Sequence, residues 1–104
     1  MKITHQRTGD TLVIAVADEL GHHEAREIID YMGTVLALYP AGPVVLDLSA
    51  LKFMDSSGLA VVLNLHRALL RAGRSLCVRG TPPQAMRVFQ AANLPRIVTF
   101  EMGE

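Results

Sequence analysis

Short apolar runs alternate with longer segments of helical period along this chain, and that alternation limits its possible folds more than any other feature. TLVIAVA (11–17), VVLDLS (44–49), SLCVRG (75–80) and RIVTF (96–100) are rich in valine, isoleucine and leucine and are bounded by glycine, proline or acidic residues, as strands are. KITHQR (2–7) alternates weakly and reads as a short strand or edge. Gly9-Asp10, between it and 11–17, suggests a hairpin. Elsewhere apolar residues recur at helical spacing. The first such set is Ala25, Ile28, Ile29, Met32, Val35 and Leu36, in a helix read from His22. Glu24, Glu27 and Asp30 suit its positive end, and Pro40-Ala41-Gly42-Pro43 stops it. The second set is Leu59, Val62, Leu63, His66, Leu69 and Leu70, ending at Ala72-Gly73. His66, on that stripe, is expected to be packed and hydrogen-bonded. The third carries Met86, Val88, Phe89 and Ala92, opens with a threonine cap at Thr81-Pro82-Pro83 and closes near Asn93-Leu94-Pro95.

The resulting order, β-β-α-β-α-β-α-β, predicts an α/β fold: a mixed, mostly parallel sheet of about five strands flanked by α-helices. TLVIAVA is expected to be buried on both faces. Right-handed crossovers gather the strand-to-helix loops at one end of a parallel sheet, where such folds place ligands and partners. Three loops should share that edge: 18–23, 52–58 and 80–83.

Composition narrows the function. The 104 residues predict one domain over 1–104. Ten basic and ten acidic residues cancel, giving no electrostatic case for nucleic acid or an anionic membrane surface. One cysteine, Cys77, precludes an internal disulfide and reads as a small buried hydrophobe. No apolar stretch has the length of a membrane span, and MKITHQRTGD has no apolar leader core, so a cytoplasmic protein is expected.

Against this background, Asp55-Ser56-Ser57-Gly58 interrupts the most hydrophobic part of the chain, between VVLDLSALKFM and LAVVLNL. Asp55 or Ser56 could simply cap the helix that follows. A nucleophile elbow needs glycine two residues before the serine, and Met54 and Asp55 occupy those places. A pair of Ser56 with His22 or His23 is geometrically conceivable, but no oxyanion loop is visible. Adjacent His22 and His23 should point apart, and neither HExxH nor paired-cysteine spacing occurs, so neither a metal nor another cofactor is expected. Gly58 without a following Gly-Lys is no phosphate loop. A phosphate carried covalently by a serine is physically sound, because a helix N-terminus offers free N–H donors and a positive dipole end. Asp55 would repel it, most strongly where water is excluded, inside a complex. The unbroken run Leu59–Leu63 exceeds one helix stripe. Its remainder either packs under a neighbouring helix or forms a contact patch beside Ser56.

Three blocks, LVIAVADELGHHEA, VVLDLSALKFMDSSGLAVVL and PPQAMRVFQAANLPRIVTF, span most of the chain. Together they resemble the anti-sigma factor antagonists of the STAS domain class, closest to the sporulation branch. The resemblance implies a regulatory binding protein rather than an enzyme. In its unphosphorylated form such a protein binds an anti-sigma factor with serine kinase activity and releases the sigma factor. Phosphorylation of the serine after the aspartate, here Ser56, switches it off, and a metal-dependent serine phosphatase reverses this. Asp55, Ser57, Gly58 and Leu59 would flank the phosphosite at the partner surface, with Glu19 to His23, including Gly21, His22 and His23, on the neighbouring loop. Gly21 departs from the aspartate that close relatives carry there. The alternative is a STAS accessory subunit of a membrane transporter or signalling assembly, and such relatives often alter the Asp-Ser-Ser-Gly loop.

Overall fold

A computed structural model describes residues 2–101. In chain order its elements are β1 (Ile3–Thr8), β2 (Thr11–Val16), β3 (Asp18–Leu20), α1 (Ala25–Leu38), β4 (Val44–Asp47) and β5 (Leu51–Met54). Then follow α2 (Ser56–Arg71), β6 (Leu76–Arg79), α3 (Pro83–Ala91), a 3₁₀ turn (Leu94–Arg96) and β7 (Thr99–Glu101). The main sheet has the order β1-β2-β4-β6-β7, with β1 antiparallel to β2 and the other pairs parallel. Gly9, at φ 64°, supplies the left-handed residue that the β1–β2 turn requires.

Each helical crossover moves the chain one strand further in the same direction. Right-handed connections therefore put all three helices on one face. Burial agrees: Leu12, Ile14, Val44, Leu46 and Val78 join Ile28, Met32, Val35, Val62, Leu65 and Phe89 in one buried cluster. Each such side chain contributes about 1.5–3 kcal/mol when taken out of water. Their strand neighbours Val13, Ala15, Val45 and Cys77 are only half-buried. TLVIAVA is thus covered on one face, not two, because crossovers that run one way leave the second face without a helix. Burial still pushes the Cys77 thiol up, keeping it protonated.

A second, two-stranded sheet was not expected. β3 and all of β5 but Leu51 lie inside segments that the sequence assigns to loops, and they pair in parallel with Glu19 opposite Phe53 and Leu20 opposite Met54. Strands of three and four residues are too short to display a period. Asp18, at φ 65°, redirects the chain from β2 into β3, a conformation aspartate tolerates better than most residues.

Helix boundaries also shift. α1 starts at Ala25 rather than His22, because the Gly21 carbonyl accepts the N–H groups of Glu24 and Ala25 at 3.1 and 3.0 Å and closes a turn first. Only Glu27 of the three acids then lies in its first turn. Pro82, not Thr81, holds the cap position of α3, and the Thr81 hydroxyl is buried with no partner among the described residues. In RIVTF, Arg96 closes the 3₁₀ turn and the strand starts only at Thr99. His66 is half-buried and makes no side-chain hydrogen bond among the described residues, so it packs without the expected bond.

Candidate functional site

Loops 18–23 and 52–58 meet directly, and the third reaches them only through α3. Asp55 is the N-cap of α2, with extended backbone (φ −104°, ψ −170°), and one carboxylate oxygen accepts the Ser57 N–H at 2.7 Å. Its other oxygen accepts the His22 N–H at 3.2 Å. One side chain thereby caps α2 and ties it to the loop that enters α1. The third loop arrives through α3, where the Gln84 side-chain amide accepts the Met54 N–H at 2.9 Å and donates to the Met54 carbonyl at 2.8 Å. Gln84 lies within the third of the quoted blocks, but its role is not legible in the sequence, since it depends on where α3 docks.

The backbone N–H of Ser57, aided by that of His22, holds the Asp55 carboxyl below the ordinary aspartate value of 3.8, outweighing the opposing effect of burial. Ionised Asp55 therefore favours the folded state above that value, and its contribution is lost as pH falls through the lower folded pKa. A carbon-detected NMR titration should give an Asp55 midpoint below 3.8. A midpoint at or above it would mean that the cap is not formed in solution.

With Asp55 as the cap, Ser56 is left as the first residue of α2, exposed, its hydroxyl free of hydrogen bonds among the described residues. No ring nitrogen of His22 or His23 bonds it, so the Ser–His pair required of a nucleophile is absent. The two histidines are exposed, and their rings meet edge to face at 5.3 Å rather than pointing apart, because residues 22–24 form a turn. Among the described residues no group of three or more His, Cys, Asp or Glu side chains is placed to hold a metal ion.

Gly58 and Gly21 are buried, and their immediate work is packing. A Cβ at Gly58 would stand 2.6 Å from the Met54 sulfur and 3.1 Å from Leu20 Cγ, so glycine is what lets α2 lie against β3 and β5. At Gly21 a Cβ would stand 3.2 Å from Asp55 Oδ2 and 3.4 Å from Glu24 Oε1. An aspartate there would crowd two carboxylates, whereas Gly21 offers its own N–H to Glu24 at 3.2 Å. Of the run Leu59–Leu63, Val61 and Val62 are buried, Leu59 and Leu63 pack on the core, and only Ala60 is exposed. Packing therefore accounts for that run. The exposed apolar side chain at this edge is Phe53, 49% accessible and opposite Glu19. Its exposure is not legible in the sequence, because the face it takes depends on the β3–β5 pairing.

Residues 3–99 match the family model described as Mlab, STAS domain. The chain belongs to the STAS domain family. This STAS chain is 33% identical over 88 residues to the anti-sigma F factor antagonist of Lysinibacillus sphaericus, covering 84% of this chain and 74% of that protein. It is 28% identical over 98 residues to the anti-sigma F factor antagonist of Paenibacillus polymyxa, covering 94% of this chain and 82% of that one. Among solved structures, the Bacillus cell fate determinant SpoIIAA in its phosphorylated form aligns with a TM-score of 0.71 at 26% identity, over 98% of this chain and 91% of that one. No helix among the described residues is long and apolar enough to cross a membrane.

Proposed function

We propose that this chain is an anti-sigma factor antagonist gated by phosphorylation of Ser56. The observation that carries the reading is the division of labour at α2: Asp55 caps the helix, which leaves the exposed Ser56 hydroxyl free to react. Unphosphorylated, the edge formed by Glu19, His22, His23, Phe53 and Ser56 docks an anti-sigma factor that is also a serine kinase, and the sigma factor is released. In the docked complex, the unphosphorylated Ser56 Oγ attacks the γ-phosphorus of ATP. The new Oγ–P bond forms as the bond to ADP breaks, and the hydroxyl proton passes to a base of the kinase. The product is a dianion at a helix N-terminus, which the isolated fold tolerates. It also stands next to ionised Asp55, and the repulsion between them grows as the partner excludes water. Phosphorylation therefore costs the complex more than the free protein and drives dissociation. A metal-dependent serine phosphatase resets the site by hydrolysis, which fits a role in sporulation control by partner switching. Both relatives are named as antagonists, which favours this reading over a transporter accessory subunit.

The test is incubation with the anti-sigma kinase of the same organism and ATP, followed by intact mass and site mapping. One added phosphate, on Ser56, with loss of co-elution is the expected result. No phosphate, or one on another residue, would overturn the reading.

A further inference from the structure

Met54 immediately precedes the Asp55-Ser56 pair, and both of its backbone groups point away from β3. Asp55 N–H, one residue on, reaches the Leu20 carbonyl across β3 at 3.4 Å. The Met54 N–H and C=O face the opposite way, toward α3. There the Gln84 amide meets both, accepting at 2.9 Å and donating at 2.8 Å. A residue in a β-ladder exchanges N–H and C=O with its neighbour in this same sense. Gln84 thus stands in for one residue of a third strand on the outer edge of the β3–β5 sheet.

We infer that Gln84 is the positioning residue that sets the pose of the Ser56 segment for its partner, an inference that rests on the function proposed above. The hydrogen bonds that tie this segment to β3 and to the loop before α1 are weaker. The Asp55–Leu20 bond is long at 3.4 Å and the Asp55–His22 bond lies at the exposed surface. By contrast, the Gln84 bonds are short and partly shielded from water, where a lost partner leaves a costly unsatisfied group. Side-chain chemistry restricts the position: only a primary amide of this length offers one acceptor and one donor to a single backbone residue. Glutamate would set a carboxylate against the Met54 carbonyl, and alanine would offer neither group. Without the clamp the Ser56 segment populates its docking pose for only a fraction of the time. Apparent affinity falls by that fraction, and the same fraction enters KM for phosphorylation. The kinase acts on the docked pose alone, so kcat is untouched.

The experiment compares wild type, Gln84→Ala and Gln84→Glu for amide hydrogen exchange at Met54, for affinity toward the anti-sigma kinase, and for Ser56 phosphorylation kinetics, with melting temperature as the control. Gln84→Ala is expected to exchange the Met54 amide at least about tenfold faster, to bind about tenfold more weakly and to raise KM by the same factor at unchanged kcat. Gln84→Glu should bind as weakly near neutral pH and recover as falling pH protonates the carboxyl and restores a donor to the Met54 carbonyl. That recovery is measured relative to wild type at each pH, and a loss caused by general destabilisation would not reverse this way. Faster exchange with affinity and KM unchanged would overturn the inference while leaving the phosphoswitch intact. A wild-type protein that takes no phosphate on Ser56 would overturn the functional reading and this inference with it.

Discussion

Ser56→Asp is expected to fold like the parent and to bind the anti-sigma partner about a hundredfold more weakly. The first half of that result follows from position. Ser56 is the first residue of α2 and is exposed, so a carboxylate there meets the positive end of the helix and solvent together. The second half follows from the neighbour. Asp55 is engaged by two backbone N–H groups that favour its ionised form, so it cannot readily take up a proton to relieve a second anion beside it. In water the pair repels weakly, but closure of an interface lowers the local dielectric and strengthens the repulsion several-fold. Ser56→Asn, similar in size to the aspartate and neutral, should recover most of the lost affinity. Ser56→Ala should bind like the parent and accept no phosphate. Titration calorimetry with circular dichroism separates these outcomes, and Ser56→Asp binding as tightly as wild type would sink the charge-switch account.

Gly58→Val should produce the largest loss of stability, about 3 kcal/mol, with a melting temperature lower by more than about 10 °C. Met54, the side chain that a new Cβ would strike first, is 0% exposed and cannot swing out into solvent without leaving the core. A glycine-to-alanine change in a helix ordinarily gains up to about 1 kcal/mol. Here the overlap with Met54 and Leu20 outweighs that gain, and a branched side chain worsens it. Pairing Gly58→Val with Met54→Ala should lose less than the sum of the two single changes, since each opens the space the other needs. Additive losses in thermal melts would show that the helix does not rest on Met54 in solution. Because Gly58 is buried, weaker partner binding by this variant would follow from displacement of α2 rather than from a lost contact.

The sequence by itself determined the architecture and where the candidate site falls in it. Alternating strand-like and helical periods admit little but a parallel sheet with crossovers, and Asp55-Ser56-Ser57-Gly58 falls where a strand hands over to a helix. Those signals are local: a period, a proline, a glycine or a cap reports on its own few residues. What only the tertiary structure decided depends on contacts between distant segments. Neither Asp18–Leu20 nor Leu51–Met54 is long enough to announce itself, and each becomes a strand because the other lies alongside. Whether Asp55 or Ser56 caps α2 turned on the His22 N–H, which comes from 33 residues away and gives Asp55 a second donor. The need for glycine at 58 appears only once Met54 and Leu20 are beneath it. Gln84 is an ordinary helix residue until α3 docks and brings its amide to Met54, 30 residues upstream. Hydrogen bonds and close packing between remote segments leave no periodic trace in a chain, so the location of the proposed phosphosite is readable from sequence while the contacts around it are not.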